Sequence, residues 1–295
     1  MNEVYGLSVM EVVMKKVAVI QDLSSFGKCS LTAAIPVLSV MGVQACPLPT
    51  AILSAQTGYP SYYIEDFTSK MNHFTEEWSK LNVSFDGIYT GFVTGEEQIN
   101  NIFHFLDQFY TKETVLLVDP VMGDTGEVYK LFSNKLLVLM RELVKQANVI
   151  TPNVTECCLL TGLSYEKLHC YGNENDFLQA IEEAGSRLQQ ETGAGVIITG
   201  INPPSANADM QSIGNMYLDG SRTYYNALQY NGKSYSGTGD LFASVIMGSL
   251  MRGENLEKSV GLAESFLKES INDSTMENIP TAEGVNFEKY LRMLL

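Results

Sequence analysis

Basic residues are scarce in this chain of 295 residues: 19 lysines and arginines stand against 34 aspartates and glutamates, a formal net charge of −15. A mean field of that sign repels a polyanion, which argues against a nucleic-acid partner. It does not argue against a small phosphorylated ligand held by a local site and a metal ion. Histidine is rarer still, and His73, His104 and His169 are too dispersed to suggest a zinc site. Cysteine is limited to Cys29, Cys46, Cys157, Cys158 and Cys170, an odd number with no C-x-x-C pair. A chain of this size needs no disulfides, so reduced thiols and a cytoplasmic location are expected. No signal-like leader is read at the start, where Glu3 and Glu11 fall and no basic cluster does. No apolar run approaches the roughly 18 to 20 residues that span a bilayer, so no membrane partner is expected. Two nucleotide motifs are also missing. There is no G-x-x-x-x-G-K-[ST] phosphate loop, and no G-x-G-x-x-G follows the first apolar run.

What is present is core material, with 45% hydrophobic and only 18% charged residues. Strand-like and helix-like patterns alternate from Lys16 onward. Val17 to Ile20, Gln44 to Leu48, Gly87 to Thr90, Val115 to Val118, Val149 to Ile150 and Gly195 to Thr199 read as strands. Helical spacing covers Ser30 to Met41, Asp66 to Leu81, Glu96 to Tyr110, Leu131 to Ala147, Thr155 to Leu160, Asp176 to Gln190, Gly239 to Met251 and Glu257 to Ser270. In the second of these, Phe67, Met71, Phe74, Trp78 and Leu81 share one apolar face. Ser212 to Leu218 and Arg222 to Ala227 form a hairpin about Asp219-Gly220, and Asn202 to Asp209 is a loop. This alternation predicts a mostly parallel sheet with helices on both faces. Residues 1–15 read as an extension, and 16–295 as a single domain.

In such sheets ligands sit beyond the carboxyl ends of the strands. The informative residues cluster there: Gln21-Asp22, Thr90-Gly91, Asp119-Pro120, Thr151-Pro152-Asn153 and Thr199-Gly200 each follow an apolar run. Ser236-Gly237-Thr238-Gly239-Asp240 opens a helix. Its glycines let the backbone approach a ligand, and its amides face an anion. Asp240 then stands where it can accept a hydroxyl proton, or it simply caps the helix. Asp119-Pro120-Val121-Met122-Gly123-Asp124 puts two carboxylates on one loop, suited to Mg²⁺ near phosphates or to an ordinary turn. Thr151-Pro152-Asn153-Val154-Thr155-Glu156 has capping-box spacing, and Asn153 and Glu156 could equally be outer ligands of a metal–phosphate group. Cys157-Cys158 reads as helix packing.

These motifs, in this order and spacing, resemble the ribokinase-like superfamily over roughly Val17 to Gly253, and within it the pyridoxal and pyridoxamine (vitamin B6) kinases. The resemblance implies a ribokinase-like three-layer α/β sandwich and ATP-dependent phosphorylation of the 5′-hydroxymethyl group of a B6 vitamer. It implies Asp240 as the base, with Gly237, Thr238 and Gly239 as an anion hole. It implies Asp119, Asp124, Asn153 and Glu156 in the metal–phosphate region, with Asp119 and Glu156 serving Mg²⁺, and Thr151 and Thr199 along the nucleotide groove. It further implies Asp22, Thr50, Thr57 and Phe92 around the vitamer, a monovalent cation such as K⁺, and a homodimer. Phe92 reads equally as plain core.

Two residues depart from the pattern. Pyridoxal kinases often carry serine at the position of Asp22 and tyrosine at that of Phe92, and a carboxylate at Asp22 would favour an aminated or ring-protonated substrate. The rivals are a kinase of hydroxymethylpyrimidine, a thiamine precursor, and a vitamer- or nucleotide-binding protein without catalysis. Pyrimidine kinases commonly carry cysteine where Asp240 stands, and a mere binder needs no base. A sugar kinase would add lid strands near its N-terminus, and none is read here.

Overall fold

The protein is described by a computed structural model covering residues 14–168, 170–204, 212–220, 222–229 and 232–295. Most of the expected extension at 1–15, most of the expected loop at 202–209, and His169 lie outside the described residues. The strands are β1 (Lys16–Ser24), β2 (Gln44–Leu53), β3 (Ile64–Asp66), β4 (Gly87–Thr90), β5 (Val115–Val118), β6 (Gly123–Asp124), β7 (Glu127–Val128), β8 (Val149–Ile150), β9 (Gly195–Ile201), β10 (Ser212–Asp219) and β11 (Arg222–Gln229). Nine of them form one sheet in the order β11-β10-β9-β8-β5-β4-β1-β2-β3. The run from β9 to β2 is parallel; β3 closes one edge antiparallel, and β10 and β11 close the other. β6 and β7 make a separate small ribbon.

The helices are α1 (Ser30–Val40), α2 (Thr68–Lys80), α3 (Glu96–Phe109), α4 (Asn134–Val144), α5 (Val154–Thr161), α6 (Tyr165–Leu168), α7 (Glu174–Thr192), α8 (Thr238–Met251) and α9 (Leu256–Met276). Strand alternation sorts the core into two layers. Ala18, Ile20 and Ile88 face α3, α4, α5 and α7, whereas Val17, Val19 and Tyr89 face α1, α8 and α9. The result is the three-layer sandwich expected from the alternating pattern. β1 lies between β2 and β4, so the chain runs outward from it in both directions. That switch point, at the carboxyl ends of the strands, is where such a sheet leaves a crevice.

Several boundaries differ from expectation for local reasons. Asp66 belongs to β3, and its Oδ1 accepts from the Thr68 backbone N–H at 2.8 Å, so α2 starts later. Leu81 falls past the end of α2 and is 70% exposed, not part of the apolar face. Ser133 caps α4 by accepting from the Leu136 amide, which removes residues 131–133 from the helix. α9 runs beyond Ser270, because Ser270 and Ser274 return their hydroxyls to carbonyls four residues back, at 2.8 and 2.7 Å, and stay buried. The edge strand β3, the β6–β7 ribbon, the short α6 and the 3-10 segments Thr281–Glu283 and Phe287–Leu294 have no counterpart among the sequence expectations.

The outer layer is held by an aromatic cluster. Phe105 is fully buried and lies 4.7 Å from Phe109, 5.8 Å from Phe85 and 6.1 Å from Trp78, centroid to centroid. Replacing Phe105 with alanine is expected to cost about 3–5 kcal/mol of stability, read as a lower urea midpoint; a loss below about 1 kcal/mol would mean that the cluster repacks without it.

Candidate active site

The crevice begins with an irregularity in β1. Its pairing with β2 shifts between Gln21 and Leu23, so β2 carries an extra residue opposite Asp22. Bulges of this kind re-aim side chains next to sites. Asp22 is buried, and its Oδ2 accepts from the Ser24 hydroxyl at 2.7 Å. Across the bulge, Thr50 is wholly buried and donates its hydroxyl to the Phe92 carbonyl at 2.9 Å. Gln98 locks the same corner, donating to the Thr50 carbonyl at 2.7 Å and accepting from the Thr94 amide at 2.8 Å. Thr50 thus sets the backbone of half-buried Phe92 and does not itself open to the crevice. Thr57 is exposed on the loop after β2.

The glycine turn arrives from the far end of the chain. Gly237 caps α8 with a φ of +79°, and a Cβ at this position would collide with the Lys28 carbonyl oxygen. Only glycine satisfies both conditions. The first intrahelical bond is Leu241 N–H to Gly237 O at 3.0 Å. The amides of Thr238, Gly239 and Asp240 therefore precede the helical ladder and carry the positive end of its dipole. Thr238 donates its hydroxyl to the Tyr235 carbonyl at 3.0 Å, which fixes the turn. Asp240 is half-buried in the first turn. Facing it, Ser30 opens α1 with a φ of +48°, a left-handed conformation uncommon outside glycine, and is 5% exposed.

The two acidic loops are tied to each other. Asn153 caps α5 by accepting from the Glu156 amide at 3.0 Å, and the Glu156 carboxylate accepts from the Asn153 amide at 2.8 Å, completing the capping box. The second Glu156 oxygen accepts from the Met122 amide at 3.0 Å, and Asn153 Nδ2 donates to the Gly123 carbonyl at 2.8 Å. Glu156 is 3% exposed, and each of its oxygens accepts one backbone amide, so it braces the two loops against each other. Asp119 is buried at the end of β5, and Asp124 is exposed on β6. Thr151 is buried, and Thr199 bridges to Asn153 at the mouth of β9.

Five carboxylates follow one another through the crevice. Burial raises Asp22 above the usual carboxylate range. Asp240 is pushed up to about 7, by burial first and by the Asp22 charge, while the Ser30 backbone N–H draws it back. Burial and then the Asp240 charge raise Asp119, and burial, Asp119 and Asp124 raise Glu156. No basic side chain among the described residues contributes to any of these shifts. Among the described residues no three Asp, Glu, His or Cys side chains converge to cage a metal ion. The donors are all oxygen, which suits a hard cation such as Mg²⁺ that takes one or two carboxylates and completes its shell with water and phosphate.

The chain matches the family model described as phosphomethylpyrimidine kinase over residues 25–283. The chain belongs to this family. The crystal structure of a putative phosphomethylpyrimidine kinase from Bacteroides thetaiotaomicron is 36% identical, with a TM-score of 0.87 over 97% of this chain and 96% of that one. A second crystal form of it, with pyridoxal, gives a TM-score of 0.85 over 96% of each chain. Pyridoxal kinase from Lactobacillus plantarum is 32% identical, with a TM-score of 0.82 over 96% of this chain and 97% of that one. Hydroxymethylpyrimidine/phosphomethylpyrimidine kinase of Haemophilus influenzae is 25% identical over 261 residues, 88% of this chain and 91% of that protein. Together these findings place the chain among the B6 kinases of the ribokinase-like superfamily and their pyrimidine-kinase relatives.

For this family member, the structure brings Asp22, Asp119, Asp240 and Glu156 into one electrostatic neighbourhood, with Thr151, Asn153 and Thr199 alongside. It leaves Thr50 inside the core and Thr57 and Asp124 exposed. Sequence reading missed Ser24, Ser30 and Gln56 and the C-terminal turn. Gln56 lies within the segment Leu53 to Tyr59, and nothing in its spacing singles it out. Raised carboxylates link folding to pH. Asp240 has a folded value of about 7 against roughly 3.9 unfolded. Its contribution to stability is complete below the unfolded value and is lost as pH rises through 7. The metal-free protein should therefore melt lower at pH 8 than at pH 5, and Asp240→Asn should melt above wild type at pH 8. Equal melting of the two proteins at pH 8 would show that Asp240 ionises there without penalty.

Proposed function

We propose that the protein transfers the γ-phosphoryl group of ATP to the 5′-hydroxymethyl group of a B6 vitamer. One arrangement carries this reading: a carboxylate in the first turn of α8 stands beside free helix-start amides and within electrostatic reach of the acidic loop that follows β5. Asp240 accepts the hydroxyl proton as the oxygen attacks. A base held near pH 7 is matched to that work. The amides of Thr238 and Gly239, placed by Gly237, receive the charge that develops on the phosphoryl oxygens. Asp119, with Glu156 behind it, would hold Mg²⁺ and Asp124 would stand at the nucleotide phosphates, and the cation would supply the positive charge that offsets the carboxylate field. Asn153, braced by Glu156, keeps the two loops in register, and Thr151 and Thr199 border the nucleotide. Phosphoryl transfer asks mainly for placement and charge stabilisation, so these groups suffice.

The vitamer reading is supported by the 36% identical structure with pyridoxal and by the L. plantarum pyridoxal kinase. On this reading the vitamer ring lies between Phe92 and the exposed loop of Thr57, with buried Asp22 paired to a protonated nitrogen. The second reading, phosphorylation of hydroxymethylpyrimidine, is favoured by the family model and the H. influenzae relative. Both acceptors are heteroaromatic alcohols, so the same machinery serves either. No helix among the described residues is long and apolar enough to cross a membrane, and all five cysteines are free thiols, which supports a reducing compartment.

A product assay with ATP, Mg²⁺, pyridoxal, pyridoxamine, pyridoxine and hydroxymethylpyrimidine decides between the acceptors. The vitamers are expected to give the highest kcat/KM, and a preference for the pyrimidine would replace this reading with the second. Asp240→Asn is expected to depress kcat by at least ~10²-fold with ATP binding retained. Near-normal turnover in that variant would remove Asp240 as the base. Excess chelator is expected to abolish turnover, and persistence of full activity would exclude the divalent cation.

A further inference from the structure

Gln56 is 7% exposed on the loop that follows β2, the loop that also carries Thr57. Its side-chain amide works in three directions. Nε2 donates to the Ala282 carbonyl at 2.9 Å and to the Ser236 hydroxyl oxygen at 3.2 Å. Oε1 accepts from the Gly58 amide at 2.6 Å. Its backbone N–H donates to the Phe26 carbonyl at 3.0 Å, and its carbonyl accepts from the Tyr59 amide at 3.2 Å. Gly27 has a φ of +98°, and a Cβ there would lie 2.7 Å from Gln56 Cγ, so the β1–α1 loop rests directly on this side chain. The rings of Phe26 and Tyr59 meet above it at 5.4 Å.

The turn that Gln56 reaches grips the same neighbours. The Thr281 carbonyl accepts from the Ser236 amide at 3.0 Å, and the Glu283 carbonyl accepts from the Lys28 amide at 3.1 Å. Lys28 extends the grip through its side chain, to Asn286 Oδ1 at 3.2 Å and Glu288 Oε2 at 2.8 Å. Three segments thus converge on one amide and one C-terminal turn: residues 56–59, residues 26–28, and the approach to the glycine turn at Ser236.

We infer that Gln56 is a positioning residue that makes the order of the loop at 56–59 and the order of the glycine turn a single state. This rests on reading the glycine turn as the phosphate site, and it holds for any acceptor alcohol. The chemistry of the amide explains the choice of residue. Two N–H groups meet two oxygen acceptors, and one carbonyl meets one N–H. Glutamate keeps the acceptor for Gly58 but loses both donors and sets a negative charge against the Ala282 carbonyl. Alanine loses all three contacts. Because Gln56 stands behind the turn and not among the amides of Thr238 and Gly239, its effect on the reaction passes through their placement.

The test uses the full chain in four forms beside wild type: Gln56→Ala, Gln56→Glu, Ser236→Ala and the Gln56→Ala/Ser236→Ala pair. Steady-state kinetics are run with whichever alcohol the wild type phosphorylates, and amide hydrogen exchange is measured on the nucleotide-free proteins. Both Gln56 variants are expected to lower kcat by ~10- to 100-fold, as a displaced catalytic group does, with the KM for ATP within ~3-fold of wild type. Exchange should quicken together at residues 58–59 and at Ser236 and Leu241, whose amides donate to the Thr281 and Gly237 carbonyls. Contacting residues couple, so the double variant should be no slower than Gln56→Ala alone. Ser236→Ala removes a single oxygen and preserves the test if Gln56→Ala does not fold: coupling is reciprocal, so it should quicken exchange at residues 58–59. Faster exchange confined to the mutated segment, or effects on kcat that multiply in the double variant, would overturn the inference. If the wild type phosphorylates no alcohol, the functional reading falls, and the exchange result alone decides the coupling.

Discussion

The site depends on one close approach, that of the Gly237 backbone to the carbonyl of Lys28. The two residues are far apart in sequence, and no side chain fits between them. Their contact sets the start of α8 against the start of α1, which brings Asp240 next to Ser30 and into the field of Asp22. Every other part of the crevice is arranged about that junction. The parallel strands deliver their carboxyl ends to it, the bulge in β2 lies opposite Asp22, and the strut from Glu156 ties the acidic loops together. A fold that places helix starts at sheet ends has free amides to offer. Here those amides are aimed by a contact that only the shortest residue permits.

The second constraint is electrostatic. Burial and neighbouring carboxylates raise Asp22, Asp240, Asp119 and Glu156 in turn, and no basic side chain among the described residues offsets those shifts. On the proposed reading a metal-bound polyphosphate would bring the offsetting cation, and the attraction would be local, carried by that metal and the dipole of α8, which reconciles such a ligand with the negative mean charge of the chain. Asp119, Asp240 and Glu156 are all raised by burial and by a neighbouring carboxylate, and Glu156 alone also accepts from the Met122 and Asn153 backbone amides.

The sheet was legible because buried parallel strands write themselves as short apolar runs. Gly87 to Thr90 and Val115 to Val118 match their strands end to end. The loops that follow them were legible because glycine, proline and aspartate at strand ends have specific conformational and chemical uses. What stayed hidden depends on contacts between distant segments. Leu81 has helical spacing but lies one residue past the end of α2, where nothing covers it. Thr50 is placed near the vitamer by resemblance alone, and its bond to the Phe92 carbonyl, which spans 42 residues, leaves no trace in spacing. β3 has three residues and no alternation to read, so it becomes visible only through its pairing with β2. The C-terminal turn at 281–283 carries no motif, and its importance comes from carbonyl oxygens, which every residue possesses.

Ser30 holds a φ of +48° at the start of α1. A side chain in the left-handed region costs on the order of 1–3 kcal/mol and persists where its surroundings leave no alternative. Natural drift and directed evolution will both meet a narrow gate at this position. Glycine, and to a lesser degree asparagine, will pass, and valine, isoleucine and threonine will not. A randomised library built around the crevice will therefore show depletion not only at Gly237 but also at a residue that no catalytic motif contains.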